Sequence, residues 1–327
     1  MQSKAVRIHQ QGGPEVLAVE MIDVPDPGPG EVLIRQTAIG LNYQDIYHRS
    51  GLYPLAVPIG LGTEAAGVIE RVGAAVKSLK VGDRVCYAGG APGACAGYRV
   101  FAADRLIRTP DDISDEQAAA VLLKGMTVEY LLTRCYPVKA GESVLFHAAA
   151  GGVGLLAGQW GRHIGARMVG IAGGADKVRL ALAAGYAECI DRSTEDVAAR
   201  IKELSGGHGF AVVYDSVGKA TFEQSLHALS ARGYFVSFGT TTGAPPAIEA
   251  AALQKLGSLY FTRPTLVTYT AKPEELQASA KAVFDLLTRG VLKVSINQRY
   301  PIDDIVQAHR DLESAATTGS TLIIPAI

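Results

Sequence analysis

Ser143-Val-Leu-Phe-His147 is a short apolar run, Ala148-Ala-Ala-Gly-Gly-Val-Gly154 follows it, and a helical pattern then continues to Ile164. A strand that enters a glycine-rich turn and leaves as a helix is the local plan of a phosphate-binding loop. Set against G-x-G-x-x-G, the matching positions are Ala149, Gly151 and Gly154, with alanine in the first place. Gly151 and Gly152, with Val153 beside them, would let the backbone approach a pyrophosphate, whose charge the N–H groups of the helix start would meet. Gly154 would allow close helix–strand packing. A lone match of this kind also fits a plain tight turn, so its surroundings decide. The stretch 143–161 carries no charge, but Gly151, Gly152, Gly154, Gly158, Ser143, His147 and Gln159 make it poor material for a membrane helix.

From Ser143 to about Phe261, short apolar strands alternate with helical segments. Strands are expected at Ser143–His147, Arg167–Ala172, Glu188–Asp191, Ala211–Asp215, Tyr234–Phe238 and Ser258–Phe261. Helices are expected between them, at Gly154–Ile164, Lys177–Ala184, Val197–Leu204, Ala220–Leu229 and Ala247–Leu256. Repeated βα units argue a doubly wound parallel sheet, and with it dinucleotide binding. The first ~120 residues read differently, as short strands broken by Pro25-Asp-Pro-Gly-Pro-Gly30 and Gly89-Gly-Ala-Pro-Gly93. Ser114-Asp-Glu-Gln117 is a capping-box spacing ahead of one helix, and a second helix is expected over Gly125–Arg134. After Pro264 come a helix (Pro273–Arg289), a strand (Leu292–Tyr300), a helix (Asp303–Ser314) and a strand (Ser320–Ile324). The expected division is an α/β chain with a nucleotide-binding domain at 124–264, inserted in a β-rich domain formed by 1–123 and 265–327.

The length of 327 residues fits about two domains at roughly 150 residues each. Hydrophobic residues at 48% and charged residues at 19% place the chain among globular proteins. Lys plus Arg (31) balance Asp plus Glu (32), which argues against nucleic acid as a partner, and no apolar leader opens the sequence. Cys86, Cys95, Cys135 and Cys189 are irregularly spaced and give neither a zinc ribbon nor a disulfide framework. Reduced thiols and a cytoplasmic location follow as expectations.

The choice between dinucleotides is read after the second strand of the middle segment. An NAD site would place Asp or Glu there for the ribose 2′-hydroxyl. Here Gly170-Ile-Ala172 runs into Gly173-Gly-Ala-Asp-Lys177, so glycine stands where the carboxylate would be. Lys177, and Arg192 after the third strand, are candidates to meet a 2′-phosphate; the alternative is that both are solvated surface charges. Asp176, read as a helix N-cap, would point away. NADP(H) is the expected cofactor.

Several further stretches carry a resemblance. Gly12-Gly-Pro-Glu-Val-Leu17, Gly40-Leu-Asn-Tyr-Gln-Asp45, Arg49-Ser-Gly-Leu-Tyr-Pro54, Gly60-Leu-Gly-Thr-Glu-Ala-Ala-Gly67, Val81-Gly-Asp-Arg-Val85 and Tyr214-Asp-Ser-Val-Gly218, with the glycine-rich turn, span nearly the whole chain. The sequence resembles the zinc-free, zeta-crystallin-like NADPH:quinone oxidoreductases of the medium-chain dehydrogenase/reductase superfamily. The resemblance implies a GroES-like, partly open barrel around the inserted Rossmann domain. Zinc-dependent relatives hold metal through a Cys near the Asn42 region and a His in Gly-His-Glu; here Thr63 replaces that His, so no metal is expected.

By the same resemblance, Asn42, Asp45, Tyr47 and Tyr53 would line a cleft near the nicotinamide, with Lys124, Thr127 and Arg263 completing a catalytic set. Cofactor contacts are implied for Asn42, Tyr130, Val217, Phe238, Gly239, Thr240, Phe261 and Arg263, besides the Ala149–Gly154 turn, Gly173, Lys177 and Arg192. Strand ends are where an open α/β sheet binds its ligand, which supports the later members independently. Plainer readings stand beside these: Tyr53 as a packed aromatic, Asp45 as a helix cap, Arg263 in an ion pair, His147 as a satisfied core histidine and Glu64 as an orienting residue. The function implied is metal-free reduction of quinones, which in this family can run in one-electron steps to semiquinones. The alternatives are reduction of an enone or alkenal double bond with Tyr53 as proton donor, and a non-enzymatic NADPH-binding role, crystallin-like or RNA-binding. A homodimer is expected through the charge-free edge strand Gly257–Phe261.

Overall fold

The structure, a computed structural model, describes residues 1–326. The chain divides into two compact units, one made of 1–126, 270–288 and 294–327, the other of 127–269 and 289–293.

In the second unit, six strands form one sheet in the order Glu188–Asp191, Arg167–Ala172, Ser143–His147, Phe210–Asp215, Leu229–Ser237 and Tyr260–Thr262. Every neighbouring pair is parallel. Counted in chain order within the sheet this is 3-2-1-4-5-6, the doubly wound dinucleotide topology, whose strand order reverses beside Ser143–His147. Strands covered on both faces need continuous apolar sequence, and Val144, Leu145, Phe146, Val169, Val212, Val213 and Phe235 are buried accordingly. The helix Gly152–Ile164 carries glycines at 154, 158 and 161, poor helix formers that would weaken it in isolation. Tertiary packing accounts for all three. A Cβ at Gly154 would meet the carbonyls of Ala148 and Ala149, one at Gly158 the Tyr186 ring, and one at Gly161 the Met168 side chain.

In the first unit the long strand Glu31–Leu41 pairs antiparallel with Glu64–Val72, Tyr98–Ala102 and Ser320–Ile324. Arg84–Ala88 and Ile107–Arg108 extend the sheet on one side, and Ile296–Pro301 pairs parallel with Ser320–Ile324 on the other. A second sheet holds Ala18–Asp23, Gln2–Ile8 and Ile59–Gly60. Ile8, Val32, Ile34, Leu61, Ile69 and Val85 form the shared apolar core.

Some element boundaries differ from expectation. The capping box at Ser114 is present in both directions, Gln117 N–H to Ser114 Oγ at 3.1 Å and Ser114 N–H to Gln117 Oε1 at 3.0 Å. The helix it starts runs unbroken over Asp115–Tyr130 and closes in a π turn at Leu131–Cys135, so Gly125 begins no second helix. Gly125 instead admits the Val283 side chain. The helix expected over Ala220–Leu229 covers only Phe222–His227, because Leu229 already pairs with Phe210. The last parallel strand begins at Ile296, not Leu292. A helix at Tyr43–Ser50 carries no apolar periodicity, because Asp45, His48 and Arg49 face the interior along with Ile46. Arg49 is buried there against His309 Nδ1 at 3.1 Å and the Glu313 carboxylate.

The glycine face makes a prediction whose sign is contrary to helix propensity. Gly158→Ala gains about 1 kcal/mol of propensity. It also drives a methyl into a Tyr186 ring pinned by its hydroxyl on Gly154 O at 2.8 Å, and such overpacking typically costs about 1–3 kcal/mol. The expected net result is a thermal midpoint lowered by about one to three degrees, measured by calorimetry; a raised midpoint would refute the packing account.

Candidate functional site

The phosphate turn is built on left-handed backbone at Ala148 (φ 54°), which swings the chain off the strand end. Ala149 N–H returns to Ile171 O at 3.0 Å and Gly151 N–H to Ala148 O at 3.0 Å. Gly151 is the N-cap of Gly152–Ile164, so the first N–H groups of that helix have no partner within it. They are donors for an anion, with the helix dipole aligned behind them. Alanine at 149 is accommodated because its fully buried methyl sits over Gly170, where a Cβ would collide with it.

At the second strand end, Gly173, Gly174, Ala175, Asp176 and Lys177 line a depression of about 330 Å³. The Arg192 guanidinium lies over Gly173: a Cβ there would sit 3.1 Å from Nε and 3.2 Å from Nη2. Glycine at 173 thus leaves room for a cation where a side chain would have stood. Asp176 is not the N-cap of the following helix, Ala175–Ala183. Gly174 is, with φ 90° and ψ 150°, backbone that only glycine adopts readily, and Asp176 pairs with Arg179 instead. Asp191, a residue that sequence reasoning passed over, accepts the Gly174 N–H at 2.8 Å.

The fourth and fifth strand ends are joined by Asp215. Its Oδ1 accepts the N–H of Val217 at 2.7 Å and of Gly218 at 3.1 Å. Its Oδ2 accepts the hydroxyls of Thr221 and Ser225, both at 2.6 Å. Ser225 Oγ lies 3.0 Å from His147 Nε2, and with its own proton given to Asp215 it is the acceptor there. His147 is therefore a buried, hydrogen-bonded core histidine, and desolvation lowers its pKa. Phe238 N–H binds Asp215 O at 2.8 Å, and Gly239 packs so closely on Ser216 that a Cβ would collide. Thr240 is buried in the same turn. Phe261 meets Phe235 edge to face, and Arg263 Nη1 donates to Ser237 O at 2.9 Å. Tyr130 stacks on Tyr269 at 4.6 Å, and Thr127 is buried on the same helix. Val217, Phe238, Gly239, Thr240 and Arg263 thus all follow C-terminal strand ends of one sheet, whereas Phe261 lies inside the strand Tyr260–Thr262, packed on Phe235.

In the first unit the structure brings Asn42, Asp45 and Lys124 together around Glu64. The fully buried Glu64 carboxylate accepts Leu123 N–H at 2.6 Å and Asn42 Nδ2 at 2.9 Å, with Lys124 Nζ at 3.5 Å. Gly40 is required here, since a Cβ would strike Glu64 and the Ala119 carbonyl. Asn42 is the N-cap of Tyr43–Ser50, and Asp45, three residues on, accepts the Asn42 N–H at 2.8 Å. Asp45 is thus a helix-capping residue. It is also completely buried. Desolvation foremost, with the Glu64 charge adding, pushes its pKa up to about 7. One ammonium beside two carboxyls neutralises one of them, and Asp45 is the group that takes a proton. Tyr47 and Tyr53 pack edge to face at 5.1 Å, with Tyr53 N–H on Tyr47 O at 3.0 Å, so Tyr53 is a packed aromatic whose ring is only partly covered. Thr63 is buried beside this cluster. Among the described residues, no three His, Cys, Asp or Glu side chains converge as metal ligands.

Comparison with known proteins decides the family. The pattern described as Alcohol dehydrogenase GroES-like domain matches residues 28–111, and that described as Zinc-binding dehydrogenase matches 152–285. The chain is 48% identical over 324 residues to the quinone oxidoreductase of Pseudomonas aeruginosa, covering 99% of this chain and 100% of the relative. The chain belongs to the quinone oxidoreductases. The solved structure of Escherichia coli quinone oxidoreductase complexed with NADPH superposes with a TM-score of 0.97 at 47% identity, covering 98% of this chain and all of that one. A 2-haloacrylate reductase from Burkholderia sp is 40% identical over 98% of both chains.

Asp45 sets a pH dependence of stability. Its folded pKa lies above the unfolded value, so the folded state binds the proton more tightly and stability falls as pH rises from about 4 to about 7. Asp45→Asn keeps an acceptor for Asn42 N–H and removes the titration. The thermal midpoint of Asp45→Asn relative to the parent should therefore rise by a few degrees, roughly, between pH 5 and pH 8. A difference that stays constant with pH would refute a protonated Asp45.

Proposed function

We infer that this chain reduces quinones with NADPH and without a metal, and that the strand ends of the parallel sheet hold the cofactor. The observation that carries the reading is the pairing of an anion-ready turn at Ala149–Gly154 with an uncharged second strand end, Gly173-Gly174, overlaid by Arg192. The residues fit the cofactor: glycines stand where side chains would fill the cradle, the free N–H groups of Gly152–Gly154 suit a pyrophosphate, and Lys177 with Arg192 suits a 2′-phosphate. When bound, NADPH supplies reducing equivalents from its nicotinamide C4. Val217, Phe238, Gly239 and Thr240, locked by Asp215, form a rigid wall for that half of the cofactor.

A quinone is a conjugated acceptor that needs no Lewis acid for reduction, unlike a simple alcohol, whose oxidation calls for a metal to stabilise the alkoxide that donates hydride. Asn42, held by Glu64, and the exposed part of the Tyr53 ring provide positioning for a flat substrate, which is how orientation alone lowers a barrier. Thr63 and Asn42, in place of a histidine and a cysteine, support metal independence. All four cysteines are unpaired, which supports a reducing, cytoplasmic setting, and among the described residues no helix is long and apolar enough to cross a membrane. Tyr260–Thr262 ends the parallel sheet with Tyr260 exposed, which supports a homodimer paired along that edge. The second reading, reduction of an activated alkene with Tyr53 as proton donor, is favoured by the likeness to the 2-haloacrylate reductase.

The two readings part on one substitution, assayed with NADPH and either 9,10-phenanthrenequinone or an enone. Tyr53→Phe should keep most quinone turnover, because the ring stays and only the hydroxyl is lost. A general-acid tyrosine would instead cost about 10²–10⁴-fold, so a steep loss confined to the enone would make the alkene the substrate. An inactive parent chain that still binds NADPH tightly would overturn both. For the assembly, sedimentation should give about twice the 34.3 kDa chain mass; a stable monomer would refute the edge pairing.

A further inference from the structure

We propose that Asp191 is a positioning residue for cofactor selectivity: its carboxylate clamps the Gly173-Gly174 turn to the loop after it, so that Arg192 is held over Gly173 as one wall of a preformed 2′-phosphate seat. The proposal rests on the reading of Lys177 and Arg192 as 2′-phosphate contacts. Asp191 ends the edge strand Glu188–Asp191, in register with Ala172. One oxygen, Oδ1, takes three donors: Gly174 N–H at 2.8 Å, Ser193 N–H at 2.9 Å and Ser193 Oγ at 2.6 Å. The backbone of the same loop is tied down separately. Asp191 N–H meets Glu195 Oε1 at 2.7 Å, Glu195 N–H returns to Asp191 O at 2.9 Å, and Arg192 N–H meets Ala172 O at 2.9 Å.

The clamp acts where the chain most needs it. Gly174 sits at φ 90° and ψ 150°, its carbonyl accepting the Val178 N–H of the following helix at 3.1 Å, and the Asp191 oxygen fixes its own N–H. Fixing Gly174 fixes Gly173, over which the Arg192 guanidinium lies at 3.1–3.3 Å from the place of an absent Cβ. The donors from Ser193 and Gly174 hold the Asp191 carboxyl below the usual carboxylate range, so it is charged at any working pH.

An acidic side chain near a strand end has an obvious rival role: accepting a ribose hydroxyl and repelling a 2′-phosphate. The two roles give opposite signs. A charge-assisted hydrogen bond that holds a binding turn is worth about tenfold in an equilibrium constant. A solvated like-charge contact at physiological salt weighs about threefold. With three donors already on Oδ1, the clamp outweighs the repulsion, and removing Asp191 should harm NADPH binding rather than improve it.

The test is equilibrium titration of the full chain with NADPH, NADH and adenosine 2′,5′-bisphosphate, followed by fluorescence or calorimetry. Asp191→Ala should weaken NADPH and the bisphosphate about tenfold and leave NADH within about twofold. Asp191→Asn keeps an oxygen acceptor for the same donors and should stay within about threefold of the parent for NADPH. Tighter NADPH binding by Asp191→Ala would assign the residue to the ribose-acceptor role and overturn the clamp. Unchanged binding, or equal weakening of NADPH and NADH, would overturn it as well. Lys177→Ala and Arg192→Ala separate the two levels of the argument. If they leave NADPH binding untouched, the phosphate reading fails and the clamp with it; if they weaken NADPH while Asp191→Ala is silent, only the clamp falls.

Discussion

The close seat of one helix on one sheet governs the nucleotide half of this protein. Gly152–Ile164 lies against Ala148, Tyr186 and Met168 at three positions without side chains. That contact brings the helix start directly off the end of Ser143–His147, where its free N–H groups project past the sheet. Any larger residue at 154 would lift the helix off the carbonyls of Ala148 and Ala149 and move those donors. The low helix propensity of the segment is the consequence of a requirement set by packing, which illustrates how weak a prior propensity is against tertiary contact.

Around that turn, buried polar groups do for the strand ends what glycine does for the helix. Asp215 is a buried carboxylate satisfied by two backbone N–H groups and two hydroxyls, so its charge is spent inside the fold on ordering the 217–218 turn. Glu64 does the same in the first unit for Asn42, Leu123 and Lys124. Each would be costly if a partner were lost, because a buried charge without hydrogen bonds is unstable. Asp45 shows the limit of the device. Stripped of water and with a second carboxylate nearby, it keeps its proton up to about pH 7. Rigid polar scaffolding of this kind suits a reaction in which the cofactor carries the chemistry and the protein supplies orientation.

Much of this was legible in the amino-acid order because it is written locally. The alternation of apolar strands with helices over residues 143–261, the glycine turn, the missing carboxylate at 173 and the capping box at Ser114 each depend on a few adjacent residues, and each is found where it was read. Helix ends were less legible. Gly125 reads as a break, yet the helix passes through it because Val283, distant in sequence, needs the space. Tyr43–Ser50 escaped notice because its inward face is polar, and a polar face is recognisable as interior only once Glu64, His309 and Glu313 are known to surround it.

The sequence by itself determined the class of the protein: a doubly wound nucleotide fold, joined to a β-rich unit, with glycine where an NAD enzyme has an acid. Those features arise from periodicity and short motifs, which are properties of neighbouring residues. The tertiary structure alone decided what the buried charges do. Whether Asp215 is an acid or a cap, and whether Asp45 is ionised, depend on donors and charges contributed from several parts of the chain. Burial and hydrogen bonding set the energy of a charged group, and neither exists until the chain has folded.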